Sequence, residues 1–183
     1  MFNDPKIRTS WITNGLVTFG SLALCIFAMY LRLPGMTLMG IGPHWLLIWL
    51  VTWGLHRPLF LGAMAGLGVG LLQDAMTIPS GIGVVPTHTI GLILAGAVAG
   101  LLHKQRYMQQ DFISVALIVF GLTVLVETTM ALQMVLLKLK VADLWFKQQQ
   151  IALASALLTS LWSPVVHFPL NRWWGSLGPR EDA

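Results

Sequence analysis

Apolar and polar positions alternate along this chain in blocks rather than in stripes. The first uncharged apolar run, Trp11 to Leu31, is 21 residues long, about what a helix needs to cross the hydrocarbon core of a bilayer. It is longer than the usual core of a cleaved signal, and Leu31-Arg32-Leu33-Pro34 offers no small-residue cleavage site, so a retained span is expected. The dense part of the second run, Trp45 to Leu55, covers only about 16 Å as a helix. Either this helix begins earlier, near Leu38, with Pro43 in its first turns, or it is short and sheltered by its neighbours. The third run opens at Pro58, a residue tolerated in a first helical turn, and reaches about Ala75. The fourth spans about Thr87 to Leu102, the fifth Phe112 to Leu137 and the sixth about Ile151 to Leu170. The pattern predicts an all-α integral membrane protein, a compact bundle of six transmembrane helices forming one domain over 1–183, with short cytoplasmic tails at about 1–10 and 173–183.

Small residues recur inside two of these runs. Gly62, Gly66 and Gly70 are spaced by four, as are Gly91, Ala95 and Ala99, beside Gly96 and Gly100. Residues so spaced lie on one side of a helix. Hiding greasy side chains gains little in lipid, so helices there associate where small residues let backbones approach. Both faces therefore read as packing faces, turned either toward each other or toward a partner.

Composition narrows the class further. Hydrophobic residues make up 56% of the chain, charged residues 10%, and mean hydropathy is +0.74, too little charge to cover a soluble domain. The net charge of +4 comes from Lys and Arg at the ends of runs and not from a basic patch interleaved with aromatics, so nucleic acid is not an expected partner. Six spans place both termini on one side. Lys6, Arg8, Arg57, Lys104, Arg106, Arg172 and Arg180 fall on that side, against Arg32, Lys138, Lys140 and Lys147 on the other, which by the positive-inside rule makes it the cytoplasm. The loop carrying Lys138, Lys140, Asp143 and Lys147 is the basic exception, read as snorkelling lysines or as a partner contact. Trp11, Trp45, Trp53, Trp145, Trp173 and Trp174 fall near run ends, as an aromatic belt would, and Trp45, Trp49 and Trp53 form an indole stripe suited to packing. The single cysteine, Cys25, lies within the first run and reads as a small buried hydrophobe.

Two acids stand out. Glu127 lies 15 residues into the fifth run, where an ionised carboxylate is costly unless paired or wet. Counting inward from the shared loop puts Thr159 and Ser160 at its depth, within a polar line of Ser155, Thr159, Ser163 and His167, and Pro164 frees the carbonyl of Ser160. Glu127 is expected to carry its proton and to hydrogen-bond into this line, as interior glue or in a pocket. Asp74 falls near the carboxyl end of the third run, where the helix dipole disfavours it. Its expected use is a cation, the amides opening the next helix around Thr87 to Thr89, or a partner contact that His88 shares. Pro79, Gly81, Gly83 and Pro86 make the connection a tight turn rather than a phosphate cradle. No catalytic motif occurs, and His44, His56, His88, His103 and His167 lack ligand spacing, so no metal, cofactor or enzymatic activity is expected.

Gly70-Leu71-Leu72-Gln73-Asp74, a Pro/Gly turn, then Ile90-Gly91-Leu92 through Ala95-Gly96 to Gly100-Leu101-Leu102 resemble the rod shape-determining protein MreD family. The Gly81 to Thr89 connection, with its second proline and His88, departs from the usual pattern. The resemblance implies a non-enzymatic subunit of the bacterial elongation machinery in the cytoplasmic membrane, supporting lateral peptidoglycan synthesis. It implies an MreC-like partner and, through it, MreB, RodA and a transpeptidase, with self-association left open. The family's fold is similar to the substrate-binding S-components of energy-coupling-factor transporters, which supplies the alternative of a vitamin-type capture subunit.

Overall fold

The computed structural model describes residues 5–31, 37, 40–77, 86–102, 111–136 and 145–175, with the backbone alone for 5–11, 145–148 and 175. Six helices follow one another: α1 (Pro5–Tyr30), α2 (Trp45–Gly54), α3 (Leu59–Thr77), α4 (Thr89–Leu102), α5 (Phe112–Leu136) and α6 (Trp145–Gly175). Four contain segments long and apolar enough to cross a membrane, Ile12–Tyr30, Leu59–Thr77, Phe112–Leu136 and Gln149–Trp174. The other two are short, with 10 residues in α2 and 14 in α4, or about 15 and 21 Å of helix against a hydrocarbon core of about 30 Å.

Shortness is possible because the neighbours take over the role of lipid. Helix α2 is apolar all round, the pattern of a buried helix, and Trp45 through Thr52 and Gly54 are all buried. It touches α1, α3, α4, α5 and α6 and is the axis of the bundle. Of the two sequence readings, the sheltered short helix is the one realised. The indole stripe is a packing stripe: Trp49 Nε1–H donates to Ser21 Oγ at 2.9 Å, Trp45 meets Trp162 at 5.6 Å between ring centroids, and Trp53 stacks on Trp49 beneath the Arg57 guanidinium.

The closest helix pair is α3–α4. Gly62, Gly66, Gly70, Gly91, Ala95, Gly96, Ala99 and Gly100 are all buried. A methyl on Gly62 would strike the Gly96 carbonyl, one on Gly66 the Leu92 carbonyl, one on Gly70 would come within 2.6 Å of Thr89 Cα, and one on Gly100 within 2.6 Å of Leu59 Cα. All these neighbours are backbone, which cannot swing aside. Gly91 faces Val126 of α5 instead. Both small-residue faces are thus buried against neighbouring helices of the bundle, the helix-packing alternative of the two that their spacing allows.

Helix α6 is longer than its apolar run, extending through Pro164 and Pro169 over 31 residues. The Ser160 carbonyl that Pro164 leaves without a helical donor receives the Ser163 hydroxyl at 2.8 Å. Pro79, Gly81, Gly83, His103, Lys104, Arg106, Lys138, Lys140, Asp143 and the tail from 176 lie outside the described residues.

Candidate functional site

A helix that begins and ends inside a membrane protein leaves backbone N–H and C=O groups without partners in a place where each costs several kcal/mol. Most of the buried polar residues among the described ones gather where α2 and α4 begin and where α2 ends, Thr123 of α5 bonding back to its own helix at Val119 instead. They form two layers, one at each end of α2.

The layer at the start of α2 and α4 contains Asp74. This carboxylate, 7% exposed, stands at the last turns of α3 and reaches across to the first turn of α4. Oδ1 accepts the His88 backbone N–H at 2.9 Å, His88 Nδ1–H at 2.9 Å and the Thr87 hydroxyl at 3.2 Å. Oδ2 accepts the Thr89 N–H at 3.0 Å and the Thr89 hydroxyl at 2.5 Å. Asp74 is therefore the N-cap of a helix to which it does not belong, and its charge meets the positive end of the α4 dipole. This explains an acid at the wrong end of its own helix, and why α4 begins at Thr89 and not at Thr87. Gln133 of α5 holds the same corner, donating to the Pro86 carbonyl at 3.2 Å.

The start of α2 is capped by α6. The His44 N–H donates to Thr159 Oγ1 at 2.9 Å, and the same hydroxyl donates to the Ser155 carbonyl at 2.5 Å. Gln73, one residue before Asp74, is 4% exposed and donates to His44 Nε2 at 3.2 Å, so α2 and α4 are anchored by neighbouring residues of α3. Glu127 is hydrogen-bonded side chain to side chain with Ser155, which ties α5 to α6 beneath this corner. Ser155, Thr159, Ser163 and His167 share one line on α6 but serve different partners: Glu127, the start of α2, the Pro164 break and, for His167, Thr52 of α2 at 3.4 Å.

The second layer closes α2. The His56 ring caps the Thr52 carbonyl through Nδ1 at 3.0 Å, and its Nε2 lies 2.7 Å from Asn171 Oδ1 of α6. The Val51, Trp53 and Gly54 carbonyls receive Leu55, His56 and Arg57 N–H groups, so the last turn of α2 is satisfied. His44, Gln73, Thr52, His56 and Asn171 carry much of the two layers without having been singled out as a site from sequence. The signal available was indirect: an apolar stretch too short to span must have buried ends, and buried ends need caps. Among the described residues no group of three or more His, Cys, Asp or Glu side chains is arranged to hold a metal.

Among the described residues, five helices around a short buried sixth, four of them with segments long and apolar enough to cross a bilayer, and polar residues used as caps, define a polytopic helical membrane protein. The family model for the rod shape-determining protein MreD matches residues 11–170, nearly the whole bundle. The chain belongs to the MreD family, whose role is in rod-shape determination. Neither the curated proteins nor the solved structures gave a match.

Proposed function

We propose that this protein is a non-enzymatic scaffold of the bacterial rod complex, holding an MreC-type partner in the cytoplasmic membrane, with both termini in the cytoplasm, and through it supporting lateral peptidoglycan synthesis. The observation that carries the proposal is where the buried polar groups point. A capture protein needs convergent polar groups left free for its ligand in an apolar wall. Here Asp74 accepts from the first residues of α4, Thr159 from the first N–H before α2, Ser163 donates to a freed carbonyl and Glu127 pairs with Ser155. Asp74 and Thr159 are committed to the starts of the two short helices, and Ser163 and Glu127 to contacts within α6 and between α5 and α6, which suits a rigid body that presents fixed outer surfaces.

The partner surface belongs to the outer faces of the helices and not to the glycine faces. Phe60, Met64 and Leu71 of α3 and Leu94 and Leu101 of α4 are all exposed, side by side on the pair that the caps and glycines make rigid. Mild crosslinking in native membranes followed by purification should recover an MreC-type protein, and the recovery should fall when Phe60 and Met64 are replaced by Ala. Recovery of an ATPase-bearing transporter module, or of a stoichiometric small molecule, would instead establish the capture reading.

A further inference from the structure

The layer that closes α2 is flanked by two arginines. The bond of 2.7 Å between the His56 and Asn171 side chains ties the end of α2 to α6, and Arg57 and Arg172 are the residues that follow each member of that pair. Both cations are thereby set at one end of the bundle. Arg57 is partly buried, and its guanidinium lies 5.4 Å from the centre of the Trp53 ring, which in turn stacks on Trp49. A guanidinium held over an indole is ordered in advance of any ligand, so less freedom is lost when its fork of N–H donors is used. Arg172 is exposed. Beside it Trp173 is 38% exposed, while Trp174 is buried with its ring 5.9 Å from that of His56. Tryptophans at the end of a span mark the depth of the lipid headgroups.

No carboxylate neutralises these cations. Among the described residues the one ion pair is His88 with Asp74, in the opposite layer. Asp111 precedes α5 at the same end as the arginines, since Phe112 stacks on Phe168 of α6 at 6.3 Å, but it pairs with neither of them. Two described arginines therefore face one described acid, and their charge is left for something outside the chain. At headgroup depth a bilayer supplies phosphodiesters, whose paired oxygens match a guanidinium fork. Charge decides between lipids: the amine of a zwitterionic headgroup is repelled by the arginines, whereas an anionic headgroup brings no cation of its own.

We infer that the α2–α6 end is a binding site for the headgroup of an anionic glycerophospholipid, with Arg57 and Arg172 donating to its phosphate oxygens. The site shares no residue with the outer faces of α3 and α4 assigned to the protein partner, so the two stand or fall separately.

The test is native mass spectrometry of the purified full chain in detergent, with phosphatidylglycerol and phosphatidylcholine added in equal amounts. Wild type should retain phosphatidylglycerol in preference. A basic residue near the membrane surface is worth about fivefold in affinity for anionic lipid, so Arg172→Gln should cut phosphatidylglycerol retention about fivefold, and Arg57→Gln with Arg172→Gln about 25-fold, with phosphatidylcholine unchanged. Arg172→Gln alters an exposed side chain only, and decides the matter alone should the double variant fail to fold. Equal retention of the two lipids by wild type, or a folded variant that keeps the full preference, would overturn the assignment. So would a double variant that keeps the lipid preference and instead loses a crosslinked protein in native membranes, since the arginines would then serve an acidic protein surface.

Discussion

Replacing Asp74 by Ala should cost more stability than any other single polar substitution in the bundle. The carboxylate accepts two backbone N–H groups, from His88 and Thr89, together with the Thr87 and Thr89 hydroxyls and the His88 ring. Hydroxyls and an imidazole can turn toward other acceptors, but the two backbone donors are fixed by the helix that they open. Leaving a buried donor unpaired costs about 1–3 kcal/mol, so two of them give about 2–6 kcal/mol. The 7% exposure of Asp74 lets some water in, which points to the lower half of that range, about 3 kcal/mol. Asp74→Asn keeps one accepting oxygen but turns an amide NH₂ toward other donors, and should cost about half as much. Equilibrium unfolding of the purified protein in mixed detergent, followed by loss of helical signal, reads both values. An Ala variant within about 0.5 kcal/mol of wild type, the range of neutral surface changes, would refute the capping account.

Three further outcomes follow from the same geometry. Gly66→Ala should destabilise by about 1–3 kcal/mol because its methyl meets the Leu92 carbonyl and the Ile93 backbone, whereas Gly68→Ala, with nothing within 4 Å, should be neutral or stabilising by up to about 1 kcal/mol; paired unfolding curves check the contrast. Thr159→Val removes the acceptor for the His44 N–H and should cost about 1–3 kcal/mol, with faster hydrogen exchange at His44 as its local sign. Glu127→Gln keeps a hydrogen bond to Ser155 but cannot titrate, so cells carrying it should remain rods, and round cells would reveal a proton-handling role.

Much of the architecture was legible because membrane helices declare themselves through length and composition. The uncharged stretch from Trp11 to Leu31 and the glycines four apart need only the rise and pitch of a helix to be interpreted. Pro164 and the freed Ser160 carbonyl were legible for the same reason: the cause and its effect lie four residues apart. Spacing shows which residues share a face but not what the face meets, so it left open whether Gly62, Gly66 and Gly70 point inward. The caps were harder still. Thr159 meets the N–H of His44, 115 residues away, and His56 meets Asn171 over the same separation. Nothing local to either residue signals these pairs. Asp74 was the intermediate case, since its conflict with the helix dipole announced a special use and the nearby start of α4 supplied one.

The most direct test of the central claim, that Asp74 serves as a helix cap and nothing else, is to move the cap. In Asp74→Ala combined with His88→Asp, the carboxylate leaves α3 and takes the N-cap position of α4 itself, where an acid is also favoured. Stability and cell shape should be measured together, in cells that depend on this protein for rod growth. Asp74→Ala alone should lose both, and the double variant should recover most of both. A double variant that unfolds like the wild type while the cells stay round would contradict the account, because it would assign to Asp74 a task that capping does not cover.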